Sequence, residues 1–196
     1  MAKFATKTTF TVGLLILLMA VPALGATVNK SIRIDDGAES RGATSVNGSI
    51  TVGDNAVVTG GLTTVNGKII VDNGASIERA KTVNGGLRLS DNVKAEDLTT
   101  VNGNMKVGEN SSIDGEISGV NGRIELARGV TVSRGISTVN GRIELTNAEV
   151  GGNIETVNGD VELAEGSVLK GDLVVEKPDG WNWGNQKSRK PRIVIG

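Results

Sequence analysis

The apolar residues of this chain fall in pairs spaced by two, and the pairs recur at a nearly constant interval. Val-Asn-Gly stands at 46–48, 65–67, 83–85, 101–103, 120–122, 139–141 and 157–159, at intervals of 18 or 19 residues. An imperfect copy, Val28-Asn29-Lys30, lies 18 residues before the first. Self-similarity at a fixed period marks a repeat architecture. Two and four residues after each glycine comes an aliphatic pair, as in Ile50/Val52, Leu87/Leu89 and Ile143/Leu145. A second pair follows a polar corner, as in Ala56/Val58 and Val130/Val132. A third apolar position, such as Leu62, Leu98 or Ile136, precedes the next valine by three residues.

A pair spaced by two is a short strand with one face turned inward. Three short strands and three corners per repeat describe a triangular coil. Asn-Gly corners fit because glycine, and more weakly asparagine, accepts the positive φ a bend demands. The absence of a 3.6-residue period excludes a helical repeat. The predicted fold is therefore all-β, a single-stranded parallel β-helix: a triangular β-solenoid of about eight coils of 18–19 residues. Right-handed winding is expected from the general preference of parallel crossovers. At about 4.8 Å per rung the rod would be roughly 38 Å long. One coil alone makes no inter-rung hydrogen bonds, so stability is a nearest-neighbour property and the ends need protection.

Residues 1–25 read as a signal peptide. Lys3 and Lys7 precede the apolar run Val12 to Val21, and Pro22-Ala23-Leu24-Gly25 supplies the small residues a signal peptidase reads. The run is shorter than the roughly 20 residues that span a bilayer, so no transmembrane segment is expected once the leader is cleaved. Residues 26–176 form the repeat domain. Residues 177–196 break the pattern with Trp181 and Trp183, a basic stretch, and a strand over 193–195, read either as a cap or as the start of a continuation.

Composition narrows the chemistry. The 28 glycines, two phenylalanines, two tryptophans and absent tyrosine indicate a thin aliphatic core. There is no cysteine and no histidine, which removes thiolate chemistry, disulfides, and the commonest general base and metal ligand. Net charge is −1, which argues against nucleic acid as a partner. The acids are spread along columns with no long loop to wall a cleft, unlike the clustered carboxylates of a glycan-cleaving site. No enzyme activity, cofactor or metal site is expected.

Three features carry candidate binding chemistry. If the valine of each Thr-Val-Asn-Gly points inward, Thr64, Thr82, Thr100, Thr138 and Thr156 form an outward Thr/Asn array for water or a regular polymer. The structural alternative is an Asn ladder that fixes the corner beside a Thr column chosen for strand propensity. Glu125, Glu144 and Glu162 share one outward column, below Arg33, Arg88 and Lys106 of earlier coils. Stacked like charges repel, so these glutamates either hold a divalent cation or basic partner or form a solvated, salt-screened face neutralised by Arg123 and Arg142. Trp181 and Trp183 either bind a glycan or lipid headgroup or cover the last rung against aggregation.

The unit Thr138-Val139-Asn140-Gly141-Arg142-Ile143-Glu144-Leu145 resembles the repeat of the DUF4097 family of adhesin-like β-strand proteins. The 18-residue coil with glycine corners is also similar to bactofilins, bacterial polymer-forming solenoids that act in the cytoplasm, where this leader points instead to export. The resemblance spans roughly residues 27–176. It implies a bacterial envelope protein in the periplasm or on the cell surface, self-associating through terminal rungs or binding a surface polysaccharide or envelope protein. It brings no catalytic residues.

Overall fold

The computed structural model describes residues 29–175 and the strand 193–195. The predicted leader and the tail segment bearing Trp181 and Trp183 lie outside the described residues. The chain winds as a single-stranded β-solenoid of about eight coils, with every strand pairing parallel to its counterpart in the next coil. Each coil has three faces. Face A carries strands such as Ile32–Ile34, Ile50–Val52, Ile69–Val71 and Leu87–Leu89. Face B carries pairs such as Glu39–Ser40 and Lys94–Ala95, and face C strands such as Ala43–Ser45 and Ile154–Thr156. Coils are numbered here from Asn29.

Register follows the apolar pairs. On face A, Ile50 pairs with Ile69, Ile69 with Leu87, Leu87 with Met105, and Ile124 with Ile143. Each core position therefore sits on its equivalent in the rung below, and Ile50, Ile69, Met105 and Ile143 are fully buried. The core is a stack of aliphatic layers, as the scarcity of aromatic residues requires.

The three corners work differently. Between faces A and B, one residue per coil adopts the left-handed conformation: Gly37, Asn55, Gly74, Asn92, Asn110, Gly129, Asn147 and Gly166. Asparagine and glycine share that position because both tolerate positive φ. At the Val-Asn-Gly corner between faces C and A the expected role of glycine is corrected, since of those glycines only Gly122 has positive φ. The requirement there is space. A Cβ on Gly85 would collide with the Gly67 carbonyl of the rung below, and Gly103 meets Gly85 in the same way.

The corner between faces B and C absorbs length. Ten residues separate Gly37 from Asn47, whereas eleven separate Asn55 from Asn66. The extra residue appears as a register shift between Val58 and Gly61. Coils of 18 and 19 residues thus stack without disturbing the layers.

After Val175 the next described strand, Ile193–Ile195, pairs with Val161–Leu163 and makes a ninth rung on face A, with Ile193 on Val161 and Ile195 on Leu163. Seventeen residues (176–192) connect it to face C, where four (157–160) serve in the coil before.

Two glycine substitutions separate these roles. Gly85→Ala forces a Cβ into backbone and should destabilise by about 1–3 kcal/mol or more. Gly119 lies where a Cβ would meet Thr138 Oγ1 at 3.4 Å, Ile124 Cδ1 at 3.5 Å and Met105 Cε at 3.8 Å, all ordinary contacts. Gly119→Ala should be neutral or stabilise by about 0.5–1 kcal/mol. Urea denaturation midpoints of the two variants check both.

Candidate functional site

The Thr-Val-Asn-Gly segment is built by strand alternation from Leu62 onward. With Leu62 inward, Thr63 points out, Thr64 in and Val65 out, and the burial follows that order. Thr64, Thr82, Thr100, Thr138 and Thr156 are 0–5% exposed. The expected outward Thr array is therefore corrected: these residues line the core, and the valines stand outside, half-buried. The physical reason is that Leu62 and Thr64 are a pair spaced by two, which alternation forces onto one side.

The inward hydroxyls find backbone partners in the preceding coil. Thr64 Oγ1 donates to the Gly48 carbonyl at 2.8 Å, Thr82 to Gly67 at 3.0 Å and Thr100 to Gly85 at 3.1 Å. Ser45 does the same to Lys30 at 3.0 Å. Thr138 and Thr156 hydroxyls have no partner among the described residues. Their preceding coils are those in which one strand, Ile117–Leu126 or Ile136–Leu145, runs unbroken through the corner, and there Gly122 and Gly141 pair with each other in the ladder.

Beside the valines runs an asparagine ladder. The amide of Asn47 donates to Asn29 Oδ1 at 2.7 Å, Asn66 to Asn47 at 2.8 Å and Asn84 to Asn66 at 2.9 Å. The series continues through Asn102, Asn121 and Asn140 to Asn158. Every donor points toward the N-terminal neighbour. On the other side of the valines lies a half-buried outward column that includes Thr63, Thr99, Ser118 and Ser137. The outward surface therefore sets a column of mostly hydroxyl residues, interrupted by Lys81 and Glu155, beside columns of valine and asparagine, and its hydroxyls are not those expected. Strand alternation counted from Leu62 is the signal that identifies them.

The glutamate column is brought together as expected. Glu125 pairs in register with Glu144, and Glu144 with Glu162. Arginines interleave with it: Arg123 approaches Glu125 at 3.2 Å and Glu144 at 3.7 Å, while Arg142 approaches Glu144 at 3.2 Å and Asp160 at 3.6 Å. The Glu144 carboxylate, hydrogen-bonded to Arg142, holds that guanidinium above its ordinary pKa. Among the described residues no group of three or more acids is arranged to hold a metal ion, and the arginines hold Glu125 and Glu144 in ion pairs. A shallow dent of about 170 Å³ beside it is lined by Lys106, Val107, Glu125, Leu126, Ala127, Glu144 and Thr146.

Comparison with family models, curated proteins and solved structures finds no match to this chain. Among the described residues no helix is long and apolar enough to cross a membrane.

The two classes of buried threonine should respond oppositely to an isosteric change. Thr64→Val removes a buried hydrogen bond and should cost about 0.5–1.5 kcal/mol. Thr138→Val removes a hydroxyl that has no partner and should leave stability unchanged or raise it. Thermal melts followed by circular dichroism separate the cases; equal losses would mean that Thr138 has an acceptor in solution.

Proposed function

We propose that this chain is an exported structural, adhesin-like β-solenoid of the bacterial cell envelope that acts by self-association of its rods through their terminal rungs, without catalysis. The observation that carries the reading is the edge of the first coil, which is unpaired among the described residues. Among the described residues, Ile32–Ile34 and Glu39–Ser40 each pair with a strand on one side only. An unpaired strand edge is a template for adding another chain. Arg33, Asp35, Asp36 and Glu39 charge this edge, which limits indiscriminate addition. The leader pattern supports export, and the resemblance to DUF4097 proteins and bactofilins supports an envelope or polymer-forming role.

A second reading rests on the hydroxyl, valine and asparagine columns of Thr63, Val65 and Asn66 and their equivalents. Their regular spacing fits a flat surface for an extended cell-surface polysaccharide or envelope protein. Retention on immobilised polysaccharide, lost when Val83 and Val101 are changed to Lys, would favour it.

The self-association reading is tested by one edge substitution. The Ile32 amide donates to Ser49 O in the second coil at 2.9 Å, so alternation turns the Arg33 N–H toward the open side. Arg33→Pro removes that donor without removing a rung hydrogen bond. Light scattering and electron microscopy of residues 26–196 should show particles that lengthen with concentration, and Arg33→Pro should abolish the lengthening. Constant length in the unsubstituted protein would overturn end-to-end association.

A further inference from the structure

We propose that face A also pairs side by side with face A of a second copy, the two rods running antiparallel. The inference deepens the self-association reading but uses a different surface from the terminal rungs.

The argument starts from the outward positions of face A. In the central column, Arg88 and Lys106 occupy coils 4 and 5, and Glu125, Glu144 and Glu162 occupy coils 6 to 8, each in register with the next. Along this column positive charge thus lies toward one end and negative charge toward the other. The glutamates are only partly neutralised by Arg123 and Arg142. Among the described residues neither Arg88 nor Lys106 has an ion-pair partner.

A two-fold axis along the strand direction, passing between coils 5 and 6, exchanges coil 5 with 6, 4 with 7 and 3 with 8. It sets Lys106 against Glu125 of the second copy, Arg88 against Glu144 and Ile70 against Glu162, and each pair occurs twice because the contact is isologous. The neighbouring column obeys the same operation. Lys68 in coil 3 falls opposite Asp160 in coil 8, Gly86 opposite Arg142, and Asn104 opposite Arg123. No like charges meet in these pairs. The parallel arrangement in the same register would set Lys106 against Lys106 and Glu144 against Glu144.

With coil 2 facing the ninth rung as well, eight overlapping rungs about 4.8 Å apart and strands of about 13 Å give a patch of roughly 1,000 Å² for both partners together. That is below the size of standard stable interfaces, in the range of weak ones. The contact is therefore a salt-sensitive association dominated by exposed charges.

The test uses sedimentation of the full chain carrying Arg33→Pro, so that end contacts do not obscure the mass. At about 0.01 M salt, where the screening length is about 30 Å, the mass should be doubled; at about 1 M, where it is about 3 Å, single. Arg88→Glu with Lys106→Glu should be monomeric alone, as should Glu125→Lys with Glu144→Lys, and an equimolar mixture of the two should restore the doubled mass. A mass independent of salt, or folded variants whose mixture stays single, overturns the proposal. Should the lysine variant fail to fold, Arg88→Gln with Lys106→Gln must weaken dimerisation at least tenfold, and unchanged dimerisation overturns it. Failure of the end-to-end reading shows separately, as an Arg33→Pro substitution that does not alter particle length.

Discussion

The separation between hydrogen-bonded rungs, about 4.8 Å, constrains almost every residue in this chain. Whatever occupies a position must stack on its own equivalent at that distance, inside and outside. Inside, aliphatic side chains satisfy the condition by layering, as Ile50, Ile69 and Leu87 do. At the corner between faces C and A, two stretches of backbone meet at the rung distance and leave no room for a Cβ, so Gly67, Gly85 and Gly103 recur. Outside, asparagine is suited to the same spacing because one amide is both donor and acceptor, and an unbroken ladder from Asn29 to Asn158 results. The Thr-Val-Asn-Gly motif is thus four solutions to one geometric condition: an inward hydroxyl for the carbonyl below, an outward apolar residue, a self-complementary amide, and an absent side chain.

Much of the architecture is legible without coordinates because the repeat is dense. The pairs Ile50/Val52 and Ala56/Val58 fix two faces and their inward sides, and the asparagine ladder follows once equivalent residues are known to stack. The third face is harder to read. Its inward partner is threonine, and hydropathy alone favours Val65 over Thr64. The chain resolves this in favour of alternation because the Thr64 hydroxyl is satisfied by Gly48 O at 2.8 Å, which makes a buried polar residue tolerable. The roles of the glycines were hidden for a related reason. A glycine demanded by positive φ, such as Gly74, and one demanded by crowding, such as Gly85, look the same in a string of letters. On face A the column of Glu125, Glu144 and Glu162 was visible from period alone, but the ion pairs of Arg123 and Arg142 depend on side-chain reach across rungs.

The two kinds of surface on the rod differ in what they can encode. The asparagine corner is monotonous because each member must match its neighbours, so it carries directionality but no positional information. The outward column of face A is free of such matching and varies from Arg33 through Ile70 to Glu162. Positions within the rod can be distinguished only there and on the outward columns of the other faces, so specificity in any partner contact must come from those columns.

Winding one chain as a single stack also sets how the molecule bears load. The described chain enters the rod at the first coil and reaches the ninth rung, Ile193–Ile195, at the opposite end, so tension applied through those ends meets the rungs one after another instead of all together. The rod would come apart like thread from a spool, each released coil of 18 residues adding roughly 60 Å of extended chain. Its strands lie across that axis. A sideways pull distributed along a whole face engages many rungs at once and meets far more resistance, which makes the flanks better suited than the ends to anchoring under force.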